Sequence, residues 1–305
     1  MDSHCLKLLN ISNPQTIWMN NVLVTGLEGQ LASELKDIAF DFPEHNLCFT
    51  NRINLDITDH SAVKDFVESN NINAIINCAA YTAVDTAASE PELADAINHL
   101  AVANFSKIAK DKNIKLVHIS TDYVFDGTQN KPYMENDTPN PQSIYGQTKL
   151  DGELAMQKIN PANSIIIRTS WLYSKFGNNF VNTLLKLSES RNEISVVSDQ
   201  IGSPTSAVDL AVTILTILPK IKNKSVEIYH YSNAGLCSWY DFALEVFRIK
   251  NIKTLVNAVK SSEFPTLVKR PTYSVLDKSK IKTCFDLEIP SWKASLSFAF
   301  ESIKI

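Results

Sequence analysis

The sequence predicts a doubly wound α/β fold, a Rossmann-like parallel sheet covered by helices on both faces, with a smaller mixed α/β lobe attached. Three observations carry that expectation. Short apolar runs rich in branched residues alternate with longer helical stripes between residues 19 and 170. The first run, Val22-Leu23-Val24, leads directly into a glycine turn and a helix start. The 305 residues contain only 8 glycines, under half the usual frequency of about 7%, so each glycine marks a place where a side chain does not fit.

Strands are expected at 22–24, 47–49, 74–76, 116–119 and 165–167, with helices at 30–40, 61–69, 90–111 and 141–158 between them. The last helix is expected to start from an Asn140 N-cap with Pro141 in its first turn. These elements make residues 19–170 a dinucleotide-binding domain. After Trp171 the alternation loosens into helix 179–188, strand 194–197, helix 208–218, strand 226–231, helix 239–247 and a terminal helix near 292–303. Residues 171–305 therefore read mainly as a substrate-binding lobe, some of whose strands return to the first sheet. Residues 1–18 lack the apolar run of a secretory signal and read as an extension, either flexible or added by a start codon upstream of Met19.

Composition narrows the function. No run approaches the roughly 18 apolar residues that a membrane-spanning helix needs. The 29 Lys and Arg against 33 Asp and Glu leave a formal net charge of −4, so the field that holds a phosphate polymer is missing and nucleic acid is not an expected partner. Five scattered cysteines without a C-x-x-C pair suit a reducing, cytoplasmic setting and no metal site.

Gly26 and Gly29, followed by Gln30, Leu31 and Ala32, place a glycine turn at a helix N-terminus, which suits a dinucleotide pyrophosphate. The end of the second strand normally faces the adenosine ribose; Arg52 there leans toward the 2′-phosphate of NADPH, and Asp56 is placed to read the adenine. Tyr145 and Lys149 share one helix face at i,i+4, where an ammonium stabilises a phenolate and makes the phenol a better acid. Ser120 and Thr121 end a strand upstream, where a hydroxyl can donate to the same substrate oxygen.

Together these segments resemble the extended short-chain dehydrogenase/reductases, and among them most closely the family of dTDP-4-dehydrorhamnose reductases. The resemblance spans about residues 20–300 and includes Asn77 to Asp85, His118 to Gly127, Tyr145 to Glu153, Arg168-Thr169-Ser170-Trp171, Asp199 to Thr205 and Arg270-Pro271. It implies an NADPH- or NADH-dependent oxidoreductase acting on a nucleotide sugar, in which Thr121, Tyr145 and Lys149 are catalytic. It further implies that Gly26, Gly29, Gln30 and Leu31 line the pyrophosphate turn, that Asp56 and Ile57 face the adenine, and that Ala79, Ala80 and Tyr81 lie near the riboses. Thr82, Val84 and Trp171 would lie by the sugar, and a homodimer is left open. The chain departs from the family pattern at Thr86 and Ala88, where Lys and Glu are usual, and at Tyr273 and Val275, where Asn and Arg are expected. Two rivals stay beside this reading. A nucleotide-sugar epimerase or dehydratase is one, although Tyr123 stands where a dehydratase carries a second carboxylate. The other is a cofactor-binding regulatory subunit like the beta subunit of methionine adenosyltransferase.

Overall fold

The computed structural model describes residues 20–302. The expected 1–18 extension and Ile303, the expected end of the last helix, lie outside the described residues. The first half runs β1 (Asn20–Thr25), α1 (Gln30–Asp37), β2 (His45–Phe49), α2 (His60–Ser69), β3 (Ala74–Asn77), α3 (Pro91–Asp95), α4 (Ala101–Lys112), β4 (Lys115–Thr121), α5 (Ile144–Ile159) and β5 (Ser164–Thr169). The second runs β6 (Leu172–Tyr173), α6 (Phe180–Ser188), β7 (Glu193–Val197), β8 (Ile201–Gly202), β9 (Thr205–Ser206), α7 (Ala207–Ile217), β10 (Glu227–Tyr231), β11 (Cys237–Ser238), α8 (Trp239–Lys250), β12 (Leu255–Val259), α9 (Ser279–Phe285) and α10 (Trp292–Ser302).

Six parallel strands form the main sheet in the order β10-β5-β4-β3-β1-β2. Side chains alternate between its faces with period two. Val22, Val24, Ile76, Ile165 and Ile167 pack with Leu31 and Leu35 of α1 and Leu210 and Ile214 of α7. Leu23, Ile75, Leu116 and Ile166 pack on the other face with Val63 of α2 and Phe105 and Ile108 of α4. Burial on both faces explains why these strands read as continuous apolar runs rather than alternating ones. β2 lies on one side of β1 and β3 on the other, so the winding reverses there and a crevice opens beyond the carboxyl ends of β1 and β3. β10 crosses back from the second half to pair with β5. The remaining lobe has its own core of Leu184, Phe242, Val246, Trp292 and Leu296.

Several details differ from the sequence expectation. The cap of α5 is Ser143, whose hydroxyl accepts from Gly146 N at 3.0 Å. Asn140 is not the cap because the helix begins only at Ile144; its amide donates to Asp126 instead. The single helix expected at 90–111 is broken by a π turn over Ala96–Leu100. Strand β12, which pairs with β7, and helix α9 had no expectation. Their signals are weak: Leu255 of β12 is exposed, and α9 buries only Ile281 and Phe285 among polar neighbours.

Candidate active site

A cleft of about 730 Å³ lies at the crevice between β1 and β3. Its floor depends on glycine. Gly26 has φ of +76°, and a Cβ there would sit 2.9 Å from Ala79 N. Only glycine meets both conditions without strain. Gly29 is the N-cap of α1 and brings no side chain to its first turn, so N–H groups at the positive end of that helix are left for an anionic ligand. A pyrophosphate fits this cradle by charge and by the space that a Cβ would fill.

Across the cleft stand Thr121, Tyr145 and Lys149, all buried at 5%, 9% and 2% exposure. β4 delivers Thr121 at its carboxyl end, and α5 carries Tyr145 and Lys149 one turn apart. Gly146 allows this approach, because a Cβ there would lie 2.2 Å from Tyr123 O. The Tyr145 hydroxyl bonds to Thr121. Burial pushes its pKa well up, with Asp122 and Tyr123 adding to the rise and Thr121 opposing it, so the phenol holds its proton throughout the neutral range. The Lys149 ammonium points instead at Ile119 O, 2.6 Å away, and at His118 Nε2, 3.4 Å away. The phenol's hydrogen-bond partner here is thus Thr121 rather than Lys149. Burial pulls Lys149 down to about 8, with Glu153 opposing.

Behind these groups lies buried polar scaffolding that the sequence reading did not single out. His118 Nδ1 meets Asn77 Nδ2 at 3.1 Å, Asn77 Oδ1 accepts from Thr25 at 2.7 Å, and the Thr25 hydroxyl accepts from Ala79 N at 3.2 Å. This chain links the lysine to the glycine turn across three strands. Burial holds the His118 imidazole neutral, and Lys149 pushes the same way. One turn further along the same face of α5, Glu153 takes a forked contact from Arg168 of β5, with Nη2 at 2.6 Å and Nε at 3.0 Å, and also accepts from Ser120. Asn98 of the π turn clasps both backbone groups of Tyr81 at 2.9 and 3.0 Å and donates to Thr148 of α5 at 3.2 Å. A π turn placed against such a site is a common device for aiming one side chain. Gly152 makes room for it, since a Cβ there would lie 2.2 Å from Asn98 O.

The cleft is lined by Gly26, Gly29, Gln30, Leu31, Arg52, Asp56, Ile57, Ala79 and Ala80 at one end, and by Thr82, Val84, Thr121, Tyr145, Lys149 and Trp171 toward the other. Tyr81 does not line it; its hydroxyl turns away to Glu90 at 2.6 Å. Asp56 is engaged with Thr58, whose hydroxyl and N–H hold its carboxylate below the usual range. Trp171 has φ of +49°, rare for a bulky residue. Its ring stacks on Trp239 at 3.5 Å and lies over Gly202, where a Cβ would come within 2.5 Å of it. Of the departures from the family pattern, Val275 is buried and its carbonyl accepts from Tyr133 N, so it belongs to the packing rather than to the cleft.

Two signals in the sequence could have pointed to the missed scaffold. Glu153 continues the 145–149 stripe by one more turn, and His118 is a lone polar residue inside the apolar run Leu116-Val117-His118-Ile119. A buried polar group needs a partner, and both have one.

Comparison with known proteins fits this geometry. A family model described as the RmlD substrate binding domain matches residues 19–305. The dTDP-4-dehydrorhamnose reductase of Aggregatibacter actinomycetemcomitans is 38% identical over 287 residues, covering 91% of this chain and 97% of that protein. The crystal structure of the Bacillus anthracis dTDP-4-dehydrorhamnose reductase in complex with NADP superposes with a TM-score of 0.88 at 39% identity, covering 93% of this chain and 99% of that one. The corresponding Clostridium acetobutylicum structure gives 0.87 at 40% identity, covering 93% and 100%. Likeness that spans both halves of the molecule, and nearly the whole of each relative, makes this chain a member of the dTDP-4-dehydrorhamnose reductase family.

Proposed function

We propose that the chain reduces the C4 carbonyl of dTDP-4-dehydro-L-rhamnose to the alcohol, with NADPH as the preferred reductant. The observation that carries this reading is the convergence of Thr121, Tyr145 and Lys149 on one cleft whose other end is the glycine cradle. Reduced nicotinamide, when bound, supplies the hydride. The chain's own residues do the rest. Tyr145, fully protonated at neutral pH because burial raises it, gives its proton to the carbonyl oxygen as negative charge develops there. Thr121, when its proton is turned to the cleft, holds that oxygen by a hydrogen bond, a contribution of about 3 kcal/mol to the barrier for one well-placed donor. Lys149 keeps a positive charge beside the reacting groups. Gly26, Gly29, Gln30 and Leu31 hold the pyrophosphate, Arg52 is placed for a 2′-phosphate, and Asp56 and Ile57 flank the adenine. Thr82, Val84 and Trp171 bound the sugar.

Tyr123 occupies the position where a dehydratase needs its second carboxylate, and its ring meets Tyr145 edge-on at 5.5 Å. Elimination of water therefore has no base there. No helix among the described residues is long and apolar enough to cross a membrane; with the net charge of −4, this supports a cytoplasmic enzyme that acts on a small nucleotide sugar and not on nucleic acid. The test is direct. Purified protein should oxidise NADPH only when dTDP-4-dehydro-L-rhamnose is present, and faster than it oxidises NADH. Indifference to that sugar would refute the assignment.

Two further results are expected. A lysine is charged below its pKa, so the ammonium of Lys149 is lost as pH rises through about 8; turnover should fall there, and a rate that stays flat to higher pH would remove Lys149's charge from the chemistry. Gly202→Ala would drive a methyl into the Trp171 ring. Overpacking of this kind costs about 1–3 kcal/mol, here taken mainly by the sugar site, so KM for the nucleotide sugar should rise while NADPH affinity holds. An unchanged KM would separate Trp171 from the sugar.

A further inference from the structure

We propose that Asp122 is a positioning residue: it sets which way the Thr121 hydroxyl points, and so whether Thr121 has a proton to offer the substrate oxygen. This rests on the reductase reading above and deepens it. Thr121 Oγ1 lies 3.0 Å from Asp122 Oδ1 and 3.3 Å from Tyr123 N, and it is also bonded to the Tyr145 hydroxyl. A hydroxyl has one proton and two acceptor sites. The N–H of Tyr123 fills one acceptor site, and an ionised carboxylate can only accept. The single proton of Thr121 is therefore committed to Asp122 whenever Asp122 is charged. In that state Thr121 can receive from Tyr145 but cannot donate into the cleft. Protonation reverses the last link: the Asp122 carboxyl donates to Thr121 Oγ1, and the Thr121 proton turns to the oxygen that Tyr145 also serves.

The surroundings of Asp122 suit such a device. The residue is 3% exposed, it borders the cleft, and Oδ2 is sealed from solvent without a partner. An orphaned buried oxygen makes the charged form costly. The groups that face the carboxyl are few. Its own turn contributes Tyr123; α5 contributes Tyr145, with Lys149 one turn further on; the late segment contributes the Ser274 hydroxyl. Arg270 on that segment is drawn off to Asp85 and the Tyr123 hydroxyl. Burial outweighs the opposing influence of Ser274, Thr121 and the backbone N–H groups of Asp122 and Tyr123 and lifts Asp122 to about 6, so the switch lies within reach of ordinary assay conditions.

The experiment is the pH dependence of kcat, from mildly acid to mildly alkaline, for the wild type and for Asp122→Asn. The wild type should lose rate in two steps as pH rises. The first is centred near 6 and amounts to roughly 100-fold, the effect of losing one oxyanion donor. The second is the Lys149 step near 8. Asp122→Asn, which can present an N–H to Thr121 at every pH, should show only the second. A wild type without the lower step, or a variant that keeps it, overturns the proposal. Infrared difference spectra of wild type minus Asp122→Asn give a readout without turnover: a carboxylic acid C=O band that titrates near pH 6 and moves in Thr121→Val. Loss of that band, or its indifference to Thr121→Val, also overturns the proposal. Failure of the wild type to reduce the keto-sugar would sink the reductase reading instead, and the infrared titration would still decide whether Asp122 holds the proton against Thr121.

Discussion

Tyr145→Phe is expected to bind NADPH as tightly as the wild type and to reduce the keto-sugar between about 100-fold and about 10,000-fold more slowly, the range spanned by removal of a general acid. The size follows from the site. Tyr145 is the buried phenol at the meeting point of β4 and α5, and Thr121, its hydrogen-bond partner, has its own proton tied to Asp122 while that residue is charged. Removal of the phenolic oxygen leaves no neutral acid of matched strength at that point. Its ring packs with Ala87, Ala94 and Tyr123, and phenylalanine keeps those contacts, so the fold should not change. Cofactor titration by fluorescence and steady-state rates on the same sample check both halves of the expectation.

Arg168→Met is expected to be the most destabilising single change near the site. It would leave Glu153, 0% exposed, as a buried charge with Ser120 as its remaining partner. Breaking such a pair from one side costs about 3–5 kcal/mol, enough to lower Tm by roughly 10 °C. The double change Arg168→Met with Glu153→Leu should recover most of that loss, because two apolar side chains of similar volume need no partner. The recovered protein should still be slow, since Glu153 ties α5, with Tyr145 and Lys149, to the strand that ends in Ser120 and Thr121. Thermal melts and kcat for the three proteins separate these effects; equal stability of single and double variants would mean that the pair is not coupled.

Much of this was legible in the sequence, and for a physical reason. In a chain with 8 glycines, those that remained were the ones the packing requires. Gly26 admits the backbone of Ala79, Gly146 that of Tyr123, and Gly152 that of Asn98. Continuous apolar runs gave the central strands because both faces of the sheet are covered. The i,i+4 spacing of Tyr145 and Lys149 survives although the helix starts at Ile144 and not at Pro141. What stayed hidden depends on contacts far apart in sequence. The π turn at Ala96–Leu100 looks like ordinary helix by composition, and only Tyr81 and Thr148, brought together in space, give Asn98 its purpose. The partners of His118 and Glu153 sit on other strands. Likewise, spacing alone suggests that Lys149 acts on the Tyr145 phenol, whereas the fold turns its ammonium to Ile119 O and His118.

The central claim is that these residues deliver a proton to a ketone whose carbon receives hydrogen from reduced nicotinamide. Turnover of dTDP-4-dehydro-L-rhamnose with NADPH deuterated on the transferable C4 position, read by mass and NMR, tests it most directly. The expected product carries one deuterium on sugar C4, is formed by the wild type, and is all but absent with Tyr145→Phe. Deuterium that remains on the nicotinamide, appears elsewhere on the sugar, or reaches C4 equally fast in the Tyr145→Phe protein would contradict the mechanism.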